Sequence, residues 1–129
     1  MAAIEIEKNG VRFIDVNKLE EYPANPGGTI TRVCFHSDHN TFSPATVKPG
    51  HVGTPHSHPH EQLLVCLDPN LKVICGGKTY LMQPGQVLII PSFVEHSAYN
   101  ETDKPIRIYE IFYPVRMAYE ASKPNVNCL

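Results

Sequence analysis

The chain has 129 residues, of which 42% are hydrophobic, enough for one compact domain with its own core. Its net charge of −2 indicates no surface for nucleic acid or an anionic membrane, and its apolar runs are too short to span a bilayer. The N-terminal residues lack the apolar stretch of a signal peptide, so we expect a cytoplasmic protein.

Twelve prolines and eight glycines divide the sequence into short segments rich in β-branched and aromatic residues. Short strands at regular spacing, separated by turn residues, are typical of a β-sandwich or β-barrel. We predict strands, in chain order, at Thr29–His36, Thr41–Val47, Gln62–Leu67, Leu71–Cys75, Val87–Ile90, His96–Tyr99 and Ile106–Tyr113. No linker or internal repeat interrupts them, so we expect residues 1–129 to form a single all-β domain.

Outside these strands, two segments have the composition of short helical turns. We predict one at Asp15–Glu21, with Asp15 or Asn17 as its N-cap, and one at Arg116–Ser122. A hairpin turn is predicted at Gly76-Gly77, because glycine accepts the backbone angles of tight turns. We expect roughly the first ten and the last eight residues to be loosely held.

The four cysteines, Cys34, Cys66, Cys75 and Cys128, have no C-x-x-C spacing. Without a secretion signal, we expect free thiols and no disulfides. The first three lie in strand-like runs, where cysteine acts as a small hydrophobic residue.

The segment Pro55–Gln62 concentrates nitrogen and oxygen ligands. On an extended strand, alternate residues share one face, which here holds His56, His58, His60 and Gln62. Such a face is a poor core but a good set of ligands for a divalent transition metal. Glu61 has the opposite parity and is expected to point away. The alternative is a solvated histidine-rich loop that binds no metal.

This segment resembles the first motif of the cupin superfamily, G-x5-H-x-H-x(3–4)-E-x6-G. Gly50 is separated from His56 by five residues, as the motif requires. Two positions depart from it, because Gln62 replaces the glutamate and Pro69 replaces the closing glycine. Small cupins that read H-S-H-P-H-E-Q form a subgroup that this chain resembles.

A second resemblance follows at residues 85–100, where the chain is similar to the second cupin motif, G-x5-P-x-G-x2-H-x3-N. Gly85, Pro91, His96 and Asn100 match it, whereas Phe93 stands at the second glycine. The two motifs, at about residues 50–69 and 85–100, imply a cupin β-barrel, or jelly roll. They also imply that four side chains meet inside it to hold one metal ion: His56, His58, Gln62 and His96.

All four implied ligands are neutral, so a divalent ion would keep its full charge and attract an anionic substrate. Nitrogen and oxygen donors suit Zn, Ni, Fe(II) or Mn. Glu61 remains an alternative ligand to Gln62. We expect His60 either behind the ligands, in contact with one of them, or in the pocket wall, where it would contact substrate.

The strand Ile106–Tyr113 carries a carboxylate, Glu110, on the otherwise apolar face that it shares with Phe112. Inside a barrel its pKa would rise, which suits a general acid or base. Alternatively, Glu110 pairs with an arginine or orients a ligand histidine. Arg116 follows, and it is either a clamp for a substrate carboxylate or an ordinary surface arginine.

The pattern from Glu110 to Arg116 is similar to D-x-F-x-P-x-R in the small cupins that open the ring of unsaturated uronates released from pectin or alginate. The resemblance implies that Glu110, Phe112 and Arg116 belong to a substrate site. Glutamate replaces the aspartate of that pattern, which lengthens the acid by one methylene group.

Three functions remain open on these grounds. The first is a metal-dependent isomerase that tautomerises or opens a small sugar-acid-like substrate, with Glu110 and Arg116 as catalytic residues. The second is an iron-dependent cupin dioxygenase, and the third is a non-enzymatic ligand-binding or sensory cupin. We also expect a homodimer, because the face of Ile106–Tyr113 that carries Tyr109 and Tyr113 is aromatic and available to a partner.

Overall fold

A computed structural model describes residues 2–124, and these residues are almost entirely β-structure. The strands are β1 (Ile4–Ile6), β2 (Arg12–Ile14), β3 (Tyr22–Pro23), β4 (Ile30–Arg32), β5 (Phe35–His36), β6 (Thr41–Val47), β7 (Glu61–Cys66), β8 (Leu71–Cys75), β9 (Lys78–Met82), β10 (Val87–Ile90), β11 (His96–Tyr99) and β12 (Ile106–Tyr113). A 3₁₀ turn at Val16–Lys18 follows β2. Within residues 2–124, no helix is long and apolar enough to cross a membrane.

The strands form two antiparallel sheets that pack face to face, and a short hairpin, β1–β2, lies beside them. The larger sheet has the order β10-β7-β12-β6-β4-β3, with β5 also paired to β6, and the smaller has the order β11-β8-β9. Buried residues of both sheets form one apolar core, which includes Val47, Leu64 and Ile106 from the larger sheet and Leu71 and Val73 from the smaller. This is the jelly-roll architecture expected of an all-β cupin.

Along the inner face of the larger sheet, the side chains change from apolar to polar. Ile106 lies opposite Val47 at one end, whereas Glu110 lies opposite Ser43 further along. Because inward residues alternate along each strand, the same register that builds the core also brings Glu110 and Gln62 to the polar end. The barrel is therefore closed by packing at one end and lined with hydrogen-bonding groups at the other.

The predicted strands are confirmed, several with the predicted bounds, but the Thr29–His36 run is split into β4 and β5. Within the first ten residues, the described segment from Ala3 onward is not loosely held, because β1 pairs with β2 and Ala3 is buried. Sequence periodicity misses this hairpin because each strand has only three residues. Of the predicted loose C-terminal segment, residues 125–129 lie outside the described chain.

The two predicted helical turns have different outcomes. Near Asp15 the chain forms the 3₁₀ turn, with the Asp15 carboxylate accepting a hydrogen bond from the Asn17 amide as N-cap. The prediction of a helix at Arg116–Ser122 is wrong, since the chain makes one turn there and then extends. The reason is that the Tyr119 side chain packs against the Phe112 ring, with ring centroids 5.0 Å apart, which draws this segment across the barrel mouth.

Cysteine and glycine positions behave as the sequence predicts. Cys34, Cys66 and Cys75 are buried free thiols, and burial raises the pKa of each, to about 11 for Cys34. Cys128 lies outside the described residues. The Gly76-Gly77 turn joins β8 to β9, and both glycines have positive φ angles.

Candidate metal centre

Three histidines meet at the polar end of the barrel, and two of them are held by a main-chain contact. His56 and His96 form an isolated antiparallel bridge, with N–O distances of 3.1 Å and 2.9 Å. This bridge ties the loop before β7 to the start of β11. His58 is close to both, and one ligand nitrogen from each of the three imidazoles lies within 4.8 Å of the others.

The hydrogen bonds of these imidazoles fix their tautomers. Each Nδ1 lies 2.9–3.0 Å from a main-chain carbonyl: that of Thr54 for His56, His60 for His58 and Val94 for His96. A carbonyl oxygen only accepts, so each neutral ring carries its proton on Nδ1 and a lone pair on Nε2. The same arrangement orients metal-binding histidines in general.

Gln62 completes the set through its carbonyl oxygen. Its Nε2 donates to Glu110 Oε2 over 3.0 Å, which turns Oε1 toward His58 Nε2 at a distance of 3.1 Å. With Nδ1 of His58 protonated, this second contact brings two acceptors together without a proton between them. The lone pairs of His58 Nε2 and Gln62 Oε1 thus point at each other, and a cation bound by both atoms would stabilise this arrangement.

The donor set therefore fits a divalent transition metal. Burial lowers the pKa of His96, and burial together with Arg116 lowers the pKa of His58 to about 4, so both rings are neutral and able to coordinate. Nε2 of His96 is buried without a hydrogen-bond partner among the described residues. Buried polar atoms rarely remain unpaired. A metal ion bound by His56, His58, Gln62 and His96 would satisfy this atom.

Residues 56–62 do not form the one extended strand on which the shared face depended, but Gln62 and two of the three histidines of that face do meet. Strand β7 begins at Glu61, and the chain bends at Pro59 and His60. The His60 ring lies 6.3 Å from the Phe112 ring and is not among the side chains that line the cavity beside the histidines. Its buried Nδ1 has no hydrogen-bond partner among residues 2–124. Glu61 is exposed, as its parity predicts.

Phe93 shows why the second motif has glycine at its position. Its φ angle is +64°, a left-handed conformation that glycine adopts more easily than any other residue. The Phe93 amide donates to the His58 carbonyl over 2.8 Å. The chain thus keeps the turn that links His58 to the loop before His96, while the phenylalanine side chain projects into solvent, 70% exposed.

A cavity of about 440 Å³ opens beside the histidines. Residues that line it include His56, Gln62 and His96 together with Arg116 and Tyr119. Apart from the histidines, its ionisable side chains are Arg32, Glu110, Arg116 and Tyr119. The cavity can therefore hold a small polar ligand between a cluster of imidazoles and a pair of guanidinium groups.

Glu110 also lines this cavity. Burial raises its pKa above the ordinary value, whereas Arg32, Arg116 and the hydrogen bond from Gln62 favour the ionised form. The predicted rise is thus confirmed in direction. One oxygen of Glu110 orients Gln62, and this contact makes it both a partner of a candidate ligand and a proton acceptor within the cavity.

Arg116 reaches the cavity, but Phe112 lies beneath it. The Phe112 ring is completely buried and does not line the cavity; it supports the rings of His58 and Tyr119. A direct contact between Phe112 and a substrate has no support in this arrangement. The guanidinium carbon of Arg116 lies 4.9 Å from the centre of the Phe112 ring.

Sequence reasoning missed two residues of the cavity, Arg32 and Tyr119. The guanidinium carbon of Arg32 lies 3.7 Å from the centre of the Tyr119 ring. Arg32 belongs to β4 and Tyr119 to the segment that follows β12, and neither stands in a recognisable motif. The alternation of β4 could have placed Arg32 on the inner face, but only if its register with β6 were known.

The family model for the cupin domain matches residues 45–112, more than half of the chain. This chain belongs to the cupin family. The match spans the histidine segment, the second motif and most of β12. A search of curated protein sequences finds no match.

Solved structures share this fold. The chain is similar to KdgF from Halomonas sp., with 22% identity, a TM-score of 0.74, and coverage of 82% of this chain and 96% of that one. An RmlC-like cupin from Shewanella frigidimarina has 19% identity and the same TM-score, covering 84% and 95%. For the EutQ protein of Salmonella typhimurium the identity is 16%, the TM-score 0.69, and the coverage 90% and 96%. Because all three identities are below 25%, these similarities establish the fold and nothing further.

Proposed function

We propose that this cupin is a metal-dependent enzyme that isomerises a small anionic, sugar-acid-like substrate by tautomerisation or ring opening. The observation that carries the proposal is one cavity lined both by convergent candidate metal ligands and by two arginines. A metal bound by His56, His58, Gln62 and His96 would act as a Lewis acid that polarises a substrate oxygen.

The protein's own groups would perform the remaining work. Arg116 would bind the substrate carboxylate and set its orientation, because a guanidinium matches a carboxylate in planar, two-pronged geometry. Glu110 would take up and return one proton at its free carboxylate oxygen. Its contact with Gln62 keeps it at a fixed position beside the ligand set. Since isomerisation leaves the substrate's atoms and oxidation state unchanged, no oxidant is needed.

The substrate class is supported by the likeness of the chain, from Glu110 to Arg116, to the small cupins that open unsaturated uronates. The test is to incubate metal-loaded protein with a 4,5-unsaturated galacturonate and to follow the loss of its double-bond absorbance and the products by NMR. Oxygen is measured in the same vessel. Conversion without oxygen uptake is expected. Uptake of oxygen would favour the dioxygenase, and ligand binding without conversion would favour the sensory protein.

We also propose a homodimer in the cytoplasm. The outer face of the larger sheet carries exposed apolar side chains on β10 and β12, namely Val87, Ile89, Tyr109 and Tyr113. Contiguous apolar surface of this kind often marks an interface between copies. Light scattering at micromolar concentration should give twice the chain mass, and a monomer mass would contradict the proposal.

A further inference from the structure

The four arginines of this chain divide into two pairs with different surroundings. On the surface, Arg12 forms an ion pair with Asp38 at 3.1 Å, and Arg107 forms one with Asp68 at 2.9 Å. In the cavity, neither Arg32 nor Arg116 has a carboxylate oxygen within 4.0 Å among residues 2–124. The cavity therefore contains two guanidinium groups without an ion pair within 4.0 Å among the described residues. Glu110, whose ionised form both arginines favour, is the acidic side chain that lines the cavity with them.

Arg32 is held by an aromatic contact that leaves a hydrogen-bond donor unused. Its guanidinium carbon lies 3.7 Å from the centre of the Tyr119 ring, and its N–H groups also interact with the hydroxyls of Tyr22 and Tyr119. Its Nε is buried and has no hydrogen-bond partner within the described chain. Buried donors are almost always paired in folded proteins, so this N–H is an unmet hydrogen bond that a small shift of Arg32 toward a ligand acceptor would satisfy.

Arg116 contacts the same ring. Its guanidinium carbon lies 4.3 Å from the centre of Tyr119, so the two guanidinium carbons are at most about 8 Å apart. A carboxylate that accepts charge-assisted hydrogen bonds of about 2.8 Å holds its carbon roughly 4 Å from each guanidinium carbon. Both guanidinium groups line the same cavity, so a carboxylate bound beside the Tyr119 ring would have both as neighbours.

The charge of the cavity favours such a ligand. Its charged side chains are Arg32, Arg116 and Glu110, so the protein contributes an excess of positive charge even with Glu110 ionised. Glu110 already accepts a hydrogen bond from Gln62 at the metal end. An anion that enters the cavity would thus lie near two guanidinium groups. One of them, that of Arg32, has a buried N–H without a hydrogen-bond acceptor in the described chain.

We propose that Arg32 is a second anion-binding residue of this cavity, which binds the carboxylate of the ligand together with Arg116 and so determines the preference for acids over neutral sugars. The inference rests on the proposed function and deepens it. It assigns the role to a residue on β4, outside the motifs that the chain shares with other cupins.

The test is calorimetric titration of metal-loaded, full-length protein with D-galacturonate and with its uncharged methyl ester. Wild type should bind the acid more tightly than the ester. In Arg32→Gln the affinity for the acid should fall about ten- to a hundredfold, the usual effect of losing a hydrogen bond to a charged group, and the affinity for the ester should change little. The matched control is Arg107→Gln, which removes a surface arginine and should bind both as wild type does. Metal content should be unchanged in both variants.

A purely structural role for Arg32, as counter-ion of Glu110, predicts a different result. In that case the double variant Arg32→Gln/Glu110→Gln should recover the affinity for the acid, and recovery would overturn the inference. If Arg32→Gln does not fold, Arg32→Lys is the second variant, because lysine keeps the charge but lacks the Nε donor. Unchanged affinity of Arg32→Lys for the acid would also overturn the inference. A wild type with no preference for the acid would instead overturn the proposed function itself.

Discussion

The two ends of the cavity hold their polar side chains in different ways. At the histidine end, each imidazole donates from Nδ1 to a main-chain carbonyl, and Gln62 is oriented by Glu110. At the arginine end, Arg32 and Arg116 lie against the ring of Tyr119 and have no acidic partner within ion-pair distance among residues 2–124. At the histidine end, main-chain contacts therefore fix the direction of the Nε2 lone pairs. At the arginine end, the guanidinium groups present positive charge to the cavity.

This difference indicates which ligand each end suits. A metal ion needs several donors in a fixed arrangement, and main-chain contacts supply it because they remain in place when the side chains are varied. An anion needs charge that is not already neutralised, and stacking on an aromatic ring positions a guanidinium without neutralising it. Glu110 also lines the cavity and contacts the histidine end through Gln62.

The largest expected effect is on turnover, through Glu110. Glu110→Gln keeps an oxygen that can accept the Gln62 hydrogen bond but removes the group that exchanges a proton. Turnover should fall roughly 10²–10⁴-fold, as is usual for a general acid or base, with metal content unchanged. The control is Glu101→Gln, which alters a surface glutamate paired with Lys72. Full activity of Glu110→Gln, or loss of its metal, would remove Glu110 from the proposed chemistry.

A smaller effect is expected on metal affinity when Gln62 is changed. Gln62→Ala removes one oxygen donor that water can replace, so metal affinity should weaken roughly tenfold, less than in His58→Ala. Competition with a chromophoric chelator measures both. Equal losses in the two variants would mean that Gln62 contributes as much as an imidazole, and no loss in Gln62→Ala would exclude it from the site.

At the arginine end, Arg116→Lys should retain the charge and lose the two-pronged geometry. The Michaelis constant for an acidic substrate should rise roughly tenfold, while metal content stays as in wild type. Steady-state kinetics on acid and ester forms measures this. If the acid and its ester were affected equally, Arg116 would not be recognising the carboxylate.

The smallest effect concerns an arginine that does have a partner. Hydrogen bonds from Arg107 hold the pKa of Asp68 below its ordinary value of 3.8. Because the folded-state pKa is depressed, the pair stabilises the protein above that pH and loses its effect as pH falls through the folded value. Asp68→Asn should therefore lower the melting temperature slightly at pH 7, and the decrease should shrink as the pH falls below 3.8 through the folded-state pKa. A decrease that persists in acid would have another cause.

Much of the histidine end could be predicted from the sequence because its ligands stand at short, fixed spacings. Three of them, His56, His58 and Gln62, lie within one seven-residue segment. The fourth, His96, stands in a second local motif. The strands were predictable too, since turn residues separate them. The alternation of side chains did not place His60 correctly. The chain bends at this residue instead of continuing as a strand, and its ring lies near Phe112.

The arginine end could not be predicted in the same way. Arg32, Arg116 and Tyr119 come from distant parts of the chain, and only the pairing of β4 with β6 and the path of the segment after β12 bring them together. Phe112 was assigned to the substrate site by resemblance, yet its position opposite Thr41 and Gln62 in the sheet makes it part of the support beneath the site. Such contacts depend on packing that no local pattern encodes.

The central claim is that His56, His58, Gln62 and His96 bind one divalent metal ion. The direct measurement is elemental analysis of protein purified without a histidine tag, for wild type and for the His56→Ala/His96→Ala double variant. We expect about one transition-metal ion per chain in wild type, as cupin-type sites hold one ion, and almost none in the double variant with its fold intact by circular dichroism. Equal metal content in the two proteins would contradict the account.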